Sequence, residues 1–130
     1  MRDADGLALS SRNAYLSKEE REVAPILHYA LDTALQRYRK GERNAKTLTD
    51  TTREVLASLD AFKKAQHKQH VTLTQEVLRT QYVSLADATT GMEITDSIKD
   101  GSQGAILSAA MFLGKTRLID NVVLPPPSKI

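Results

Sequence analysis

Two apolar runs, AILSAAMFL and TRLIDNVVL, stand on either side of Gly114-Lys115. A two-residue, glycine-containing connection is the length a tight antiparallel hairpin uses, so the two runs are committed to pairing with each other. Pro125, Pro126 and Pro127 follow at once and end the ladder, because proline has no N–H to give it. Upstream, Tyr82, Ser84 and Ala86 alternate with Val83, Leu85 and Asp87, the period of a half-buried strand expected to start at Thr80. Thr89-Thr90-Gly91 supplies the turn after it. The C-terminal part therefore predicts a small antiparallel sheet of about three strands.

Before the sheet the period is helical. Ser17-Lys18-Glu19-Glu20 fits a capping box, in which Ser17 accepts from the Glu20 amide and the Glu20 carboxylate reaches back to Ser17. Val23, Ile26, Leu27, Ala30, Leu31, Ala34, Leu35 and Tyr38 then recur at spacings of three and four, an apolar stripe that ends before Gly41. Pro25 lies inside this stripe and cannot donate to the carbonyl of Arg21, which predicts a short first turn, a kink and then the longer helix. A second helix is expected from about Ala45 to Leu59, with Leu48, Thr51, Val55, Leu56 and Leu59 on one face. Residues 60–78 carry Lys63, Lys64, His67, Lys68 and His70 in a polar setting, read as an exposed helix extension followed by a short helix near Gln75 to Leu78. Helices followed by an antiparallel sheet make an α+β fold.

A chain of 130 residues with 41% hydrophobic content supports one compact core and is too short for two ordinary domains. The 18 Lys and Arg exceed the 16 Asp and Glu by only two, so no strong field points to nucleic acid or anionic membrane. No apolar run approaches the roughly 18 residues of a membrane-spanning helix. The sequence has no cysteine, which removes disulfides, thiolate metal sites and cysteine nucleophiles and suits a reducing, cytoplasmic setting. No His, Asp or Glu cluster has metal-ligand spacing, and no serine sits in a nucleophile-elbow sequence.

Candidate chemistry is concentrated at the start, in RDADGLALSSRN at residues 2–13. Gly6 and the small side chains permit close backbone approach to an anion, Ser10 and Ser11 each offer an O–H, and Arg12 offers a planar fork for two phosphate oxygens. The same residues also suit a surface loop, with the serines capping the helix ahead and Arg12 paired with Asp3 or Asp5. Spacing alone does not separate the two.

As a whole string, RDADGLALSSRNAYLS closely resembles the signature of the pantothenate synthetase family, in which Asp-Gly-Leu-Ala precedes Met- or Leu-Ser-Ser-Arg-Asn. GKTRLIDN at residues 114–121 resembles the closing strand of that family, and YVSLADATTGMEI at 82–94 resembles the strand before it. Asp3 stands where the family is expected to have Glu, which keeps the charge and shortens its reach toward Arg2. Residues 60–78 look longer than in compact bacterial members, suggesting a eukaryotic, fungal variant.

The resemblance implies a single C-terminal lid domain of a Rossmann-like, adenylate-forming ligase. Within it, residues 1–16 would be the ATP-contacting signature and hinge, 17–78 the helical part, 79–124 the antiparallel sheet and 125–130 a proline-rich tail. It further implies that pantoate, ATP with Mg2+ and β-alanine are the substrates, joined through a pantoyl-adenylate. By the same resemblance Leu9, Ser10, Ser11 and Arg12 contact ATP, with Arg12 and Ser10 as the catalytic pair that stabilises charge on the phosphates. Met1 falls near an adenine-contacting backbone position. The nucleotide-binding histidines and the pantoate and β-alanine sites would lie in an upstream half absent from this chain, so the chain alone is expected to fold without ligase activity. The full-length protein is expected to be a homodimer, and this piece a monomer. His28, His67 and His70 are expected to be surface or packing residues.

Two other readings remain at this point. Lys63, Lys64 and Lys68 on a helix face could touch RNA phosphates, although a charge run is more often a solvated face and aromatics are only 5%. Alternatively, the chain serves only as an assembly surface. Asp120 and Asn121, read as ending the last strand, could orient a substrate, but polar residues there more often satisfy loop amides.

Overall fold

A computed structural model describes residues 16–130. Within them, helices α1 (Lys18–Val23), α2 (Ile26–Arg39), α3 (Ala45–Leu56) and α4 (Leu59–Ala65) precede strands β1 (Leu78–Asp87), β2 (Ala105–Leu113) and β3 (Thr116–Leu124). The strands form an antiparallel sheet in the order β1-β2-β3.

The capping box forms as the sequence dictates: the Glu20 amide donates to Ser17 Oγ at 3.1 Å and the Ser17 amide donates to Glu20 Oε1 at 2.8 Å. α1 stops at Val23 and α2 begins after Pro25, the break that a missing N–H imposes. Beyond it, Ile26, Leu27, Ala30, Leu31, Ala34 and Tyr38 are buried along one face of α2. The next helix ends earlier than its apolar pattern suggests. α3 closes at Leu56, and Leu59 instead opens α4, where the side chain of Gln75 accepts from the Leu59 amide and donates to the Leu56 carbonyl.

The sheet lays one face on the helices. In β3 the residues Thr116, Leu118, Asp120, Val122 and Leu124 are buried and those between them are not, the period of two that a one-sided sheet requires. Val83 and Leu85 of β1 and Leu107, Ala109, Met111 and Leu113 of β2 complete that face, which packs with the stripes of α2 and α3 in one core. β1 starts at Leu78, two residues before the expected Thr80, and a bulge between Thr80 and Tyr82 leaves Gln81 out of register. Gly114 takes φ +60° at the first position of the β2–β3 loop, where a two-residue hairpin turn of this hand uses glycine. The long return from β1 is tied at both ends. The Asp87 carboxylate accepts from the amides of Thr89 and Thr90, and the Ala45 amide donates to the Asp96 carbonyl at the start of α3.

Candidate functional site

Leu9, Ser10, Ser11 and Arg12, and Met1 with them, lie outside the described residues. What is described is the helix that follows this segment in the chain. Five positions after Arg12, Ser17 opens α1, and Leu16 just before it is buried in the core. α1 has only six residues, too few to persist as a helix without tertiary support. That support comes from two sides. Glu20 lies against Gly114 of the β2–β3 turn, so closely that a side chain there would meet its carboxylate. On the other side, Glu19 and Glu22 are engaged by residues 66–75. The Thr72 amide donates to Glu19 Oε2 at 2.7 Å and the Thr72 hydroxyl to the same oxygen at 3.0 Å. Lys68 Nζ donates to the Glu22 carbonyl at 2.6 Å, and His70 Nε2 lies 2.8 Å from Glu22 Oε2.

The Thr72 amide, followed by its hydroxyl, holds the Glu19 carboxyl below the ordinary glutamate range, because both donate to the ionised form. A carboxyl whose pKa is depressed on folding stabilises the fold above its unfolded value, and that contribution fades as pH falls through its folded value. The Thr72 amide proton is therefore expected to titrate with a midpoint below the unfolded glutamate value of about 4.3. An NMR midpoint at or above that value would show that the Glu19–Thr72 bond does not persist in solution.

The basic stretch departs from its reading as a solvated face. Lys63 is 9% exposed. Its Nζ donates to the carbonyls of Val71 at 3.0 Å and Leu73 at 2.9 Å, so the ammonium closes a loop and faces no external anion. The aliphatic stem of a lysine can line a core when its head finds acceptors, which is why a polar-looking helix here has a buried side. Lys68 and His70 turn to Glu22, His70 while still exposed, and Lys64 and His67 are exposed as well.

Asp120 also differs from expectation: it stands in mid-strand, opposite Ala109, and is buried. His28 of α2 is half-buried over it, with Nδ1 3.7 Å from Asp120 Oδ2. The Asn121 amide donates to Asp120 Oδ1 at 2.8 Å, and the Asn121 side chain belongs to the exposed face of β3. Among the described residues no three His, Asp or Glu side chains converge as metal ligands would, and no helix is long and apolar enough to cross a membrane. Sequence reasoning missed Glu19, Glu22, Thr72 and Gln75. Only Glu19 carried a signal, as a first-turn charge within the capping-box stretch, and nothing local marked the partners of Glu19 and Glu22 about fifty residues away.

Comparison with known proteins agrees with the motifs. The family profile described as pantoate-beta-alanine ligase matches residues 1–123. A pantothenate synthetase of Chloroflexus aurantiacus is 43% identical over 129 residues, covering 99% of this chain and 39% of its own. A bifunctional pantoate ligase/cytidylate kinase of Synechocystis is 39% identical over 124 residues, 95% of this chain and 21% of its own. Among solved structures, a pantothenate synthetase from Thermus thermophilus superposes with a TM-score of 0.71 at 31% identity, covering 97% of this chain and 38% of its own. These relatives are bacterial, so the expectation of a eukaryotic, fungal variant is withdrawn. The segment that prompted it is taken up by α4 and the loop that clasps α1.

Proposed function

The chain belongs to the pantoate-beta-alanine ligase family, and we propose that it supplies the lid over the ATP site of such a ligase. It spans 39% of the length of the Chloroflexus relative. The remainder, a Rossmann-like half, would hold pantoate and β-alanine. ATP, accompanied by Mg2+, is a substrate in this reading.

In the first step a pantoate carboxylate oxygen attacks the α-phosphorus of ATP and pyrophosphate leaves. The β-alanine amine then attacks the acyl carbon of the pantoyl-adenylate, forming the amide of pantothenate and expelling AMP. Leu9, Ser10, Ser11 and Arg12 would line the nucleotide side of the site. Arg12 and Ser10 would donate to the phosphate oxygens on which charge develops. Closure of the lid would exclude water from an acyl-adenylate that water destroys. The complete enzyme would act as a cytoplasmic homodimer.

One observation carries this reading: the unbroken string RDADGLALSSRN, in a chain 43% identical to a pantothenate synthetase over 129 residues. The complete protein is expected to release AMP and pyrophosphate only when pantoate and ATP are both supplied, and to form pantothenate on addition of β-alanine. Residues 1–130 alone are expected to form none. Pantothenate production by this chain by itself would overturn the assignment of the lid role.

A further inference from the structure

Helices α2, α3 and α4 leave an open cleft between them of about 340 Å3, inside the span of roughly 300–1,000 Å3 that sites for small organic ligands occupy. The helical period builds its walls. Tyr29, Thr33 and Arg37 recur every four residues along α2 on one side, and Thr51, Glu54 and Val55 of α3, with Ser58 just beyond it, recur at three and four on the other. Phe62 of α4 is buried and meets the half-exposed Tyr29 ring edge to face, with centroids 5.4 Å apart. With Val55 this pair gives the cleft an apolar, aromatic surface.

Two charges of opposite sign line the same cleft and are not spent on each other. Arg37 Nη1 donates to Thr51 Oγ1 at 3.0 Å, a bond that holds the guanidinium across the gap from α2 to α3 and leaves its other donors available. Glu54 stands three positions after Thr51, one turn along the same wall. Among the described residues neither Arg37 nor Glu54 has an ion-pair partner. The hydroxyls add a direction. Those of Thr33, Thr51 and Ser58 donate to the carbonyls of Tyr29, Thr47 and Glu54 at 2.7, 2.7 and 2.8 Å, so toward the cleft they can only accept.

From this arrangement we propose that the cleft is a binding site for a small zwitterion with an apolar body, an α-amino acid carrying an aromatic or branched aliphatic side chain. Its carboxylate takes the free N–H groups of Arg37, its ammonium donates to the Glu54 carboxylate and Ser58 Oγ, and its side chain lies on Tyr29, Phe62 and Val55. A plain carboxylate would bring a second negative charge to Glu54, and a plain amine a second positive charge to Arg37. A ligand with both charges is paired at both ends. Arg37 and Glu54 are exposed, so the pairing is screened and the expected Kd is about millimolar. The inference is independent of the ligase reading, because every residue it uses belongs to the helical layer.

The test follows the amide chemical shifts of the 130-residue chain as L-phenylalanine is added, beside N-acetyl-L-phenylalanine, which lacks the ammonium, and L-phenylalaninamide, which lacks the carboxylate. Phenylalanine is expected to give saturable shifts confined to residues 29–37 and 51–62, and each analogue to bind about tenfold more weakly, the usual loss when one charge-assisted contact goes. Glu54→Gln is expected to erase the preference over the N-acetyl analogue and Arg37→Gln the preference over the amide. Should either variant fail to fold, the three ligands compared on the wild-type chain decide the matter. No saturable shift by about 20 mM phenylalanine, or saturation only among residues outside the cleft, would overturn the site. Equal affinity for all three ligands, or discrimination against one analogue alone, would overturn the zwitterion assignment.

Discussion

Arg12→Ala in the complete enzyme is expected to slow pantoyl-adenylate formation by about 10²-fold or more, the usual cost of deleting one aimed donor from a water-excluded site. The reason lies in the side chain. A guanidinium presents paired N–H groups at a fixed spacing, carries its charge at every accessible pH and matches two oxygens of one phosphate. In the proposed lid role, when the bond between the α-phosphorus and the pyrophosphate lengthens, charge accumulates on oxygens that such a group would already face, with no reorganisation needed. Arg12→Lys keeps the charge and loses the fork, so an intermediate rate is expected. Quench-flow measurement of adenylate in a single turnover isolates this step from β-alanine attack. A near-normal rate for the alanine variant would remove Arg12 from the reacting machinery.

Tyr38→Ala is expected to produce the largest loss of stability from a single side chain, about 3–5 kcal/mol by analogy with other large aromatic truncations. Tyr38 is fully buried at the end of α2. Its ring lies under the Arg43 guanidinium, 4.5 Å from ring centre to the guanidinium carbon, and its hydroxyl donates to the Pro125 carbonyl at 2.6 Å. That bond joins the first long helix to the chain just after β3. Burial pushes the phenol pKa up, outweighing the opposite pull of Arg43, so the hydroxyl remains a neutral donor. Tyr38→Phe separates the contributions: it keeps the ring and leaves a part-buried carbonyl without its donor, for a cost of about 1–3 kcal/mol. Urea unfolding monitored on both variants gives the two values. A Tyr38→Ala protein within about 1 kcal/mol of wild type would show that the core relaxes around the gap.

Several elements were legible because their causes are local. The capping box at Ser17 and Glu20 needs atoms only three residues apart, the break at Pro25 needs one missing N–H, and the turn at Gly114 needs one backbone conformation. The family, too, was carried by a contiguous string. Where the reading failed, the cause was distant. Nothing near Lys63 foretells that the carbonyls of Val71 and Leu73 will receive its ammonium, so a face that reads as solvated proved partly internal. α3 ended before Leu59 for a similar reason, since Gln75 binds both sides of the break. Asp120 was read at a strand end because it is polar, whereas β3 continues to Leu124 with that carboxylate on its buried face.

By itself, then, the sequence determined the order of helices and strands, the hairpin that closes the sheet and the family's signature string RDADGLALSSRN, all set by backbone chemistry and by patterns that neighbours in the chain share. Tertiary structure alone decided how α1, the helix next to that string, is held. Glu19 and Thr72 stand 53 positions apart, Lys68 and Glu22 46. Hydrogen bonds between such pairs exist only once the core has brought the segments together, and no local pattern encodes which donor will meet which acceptor.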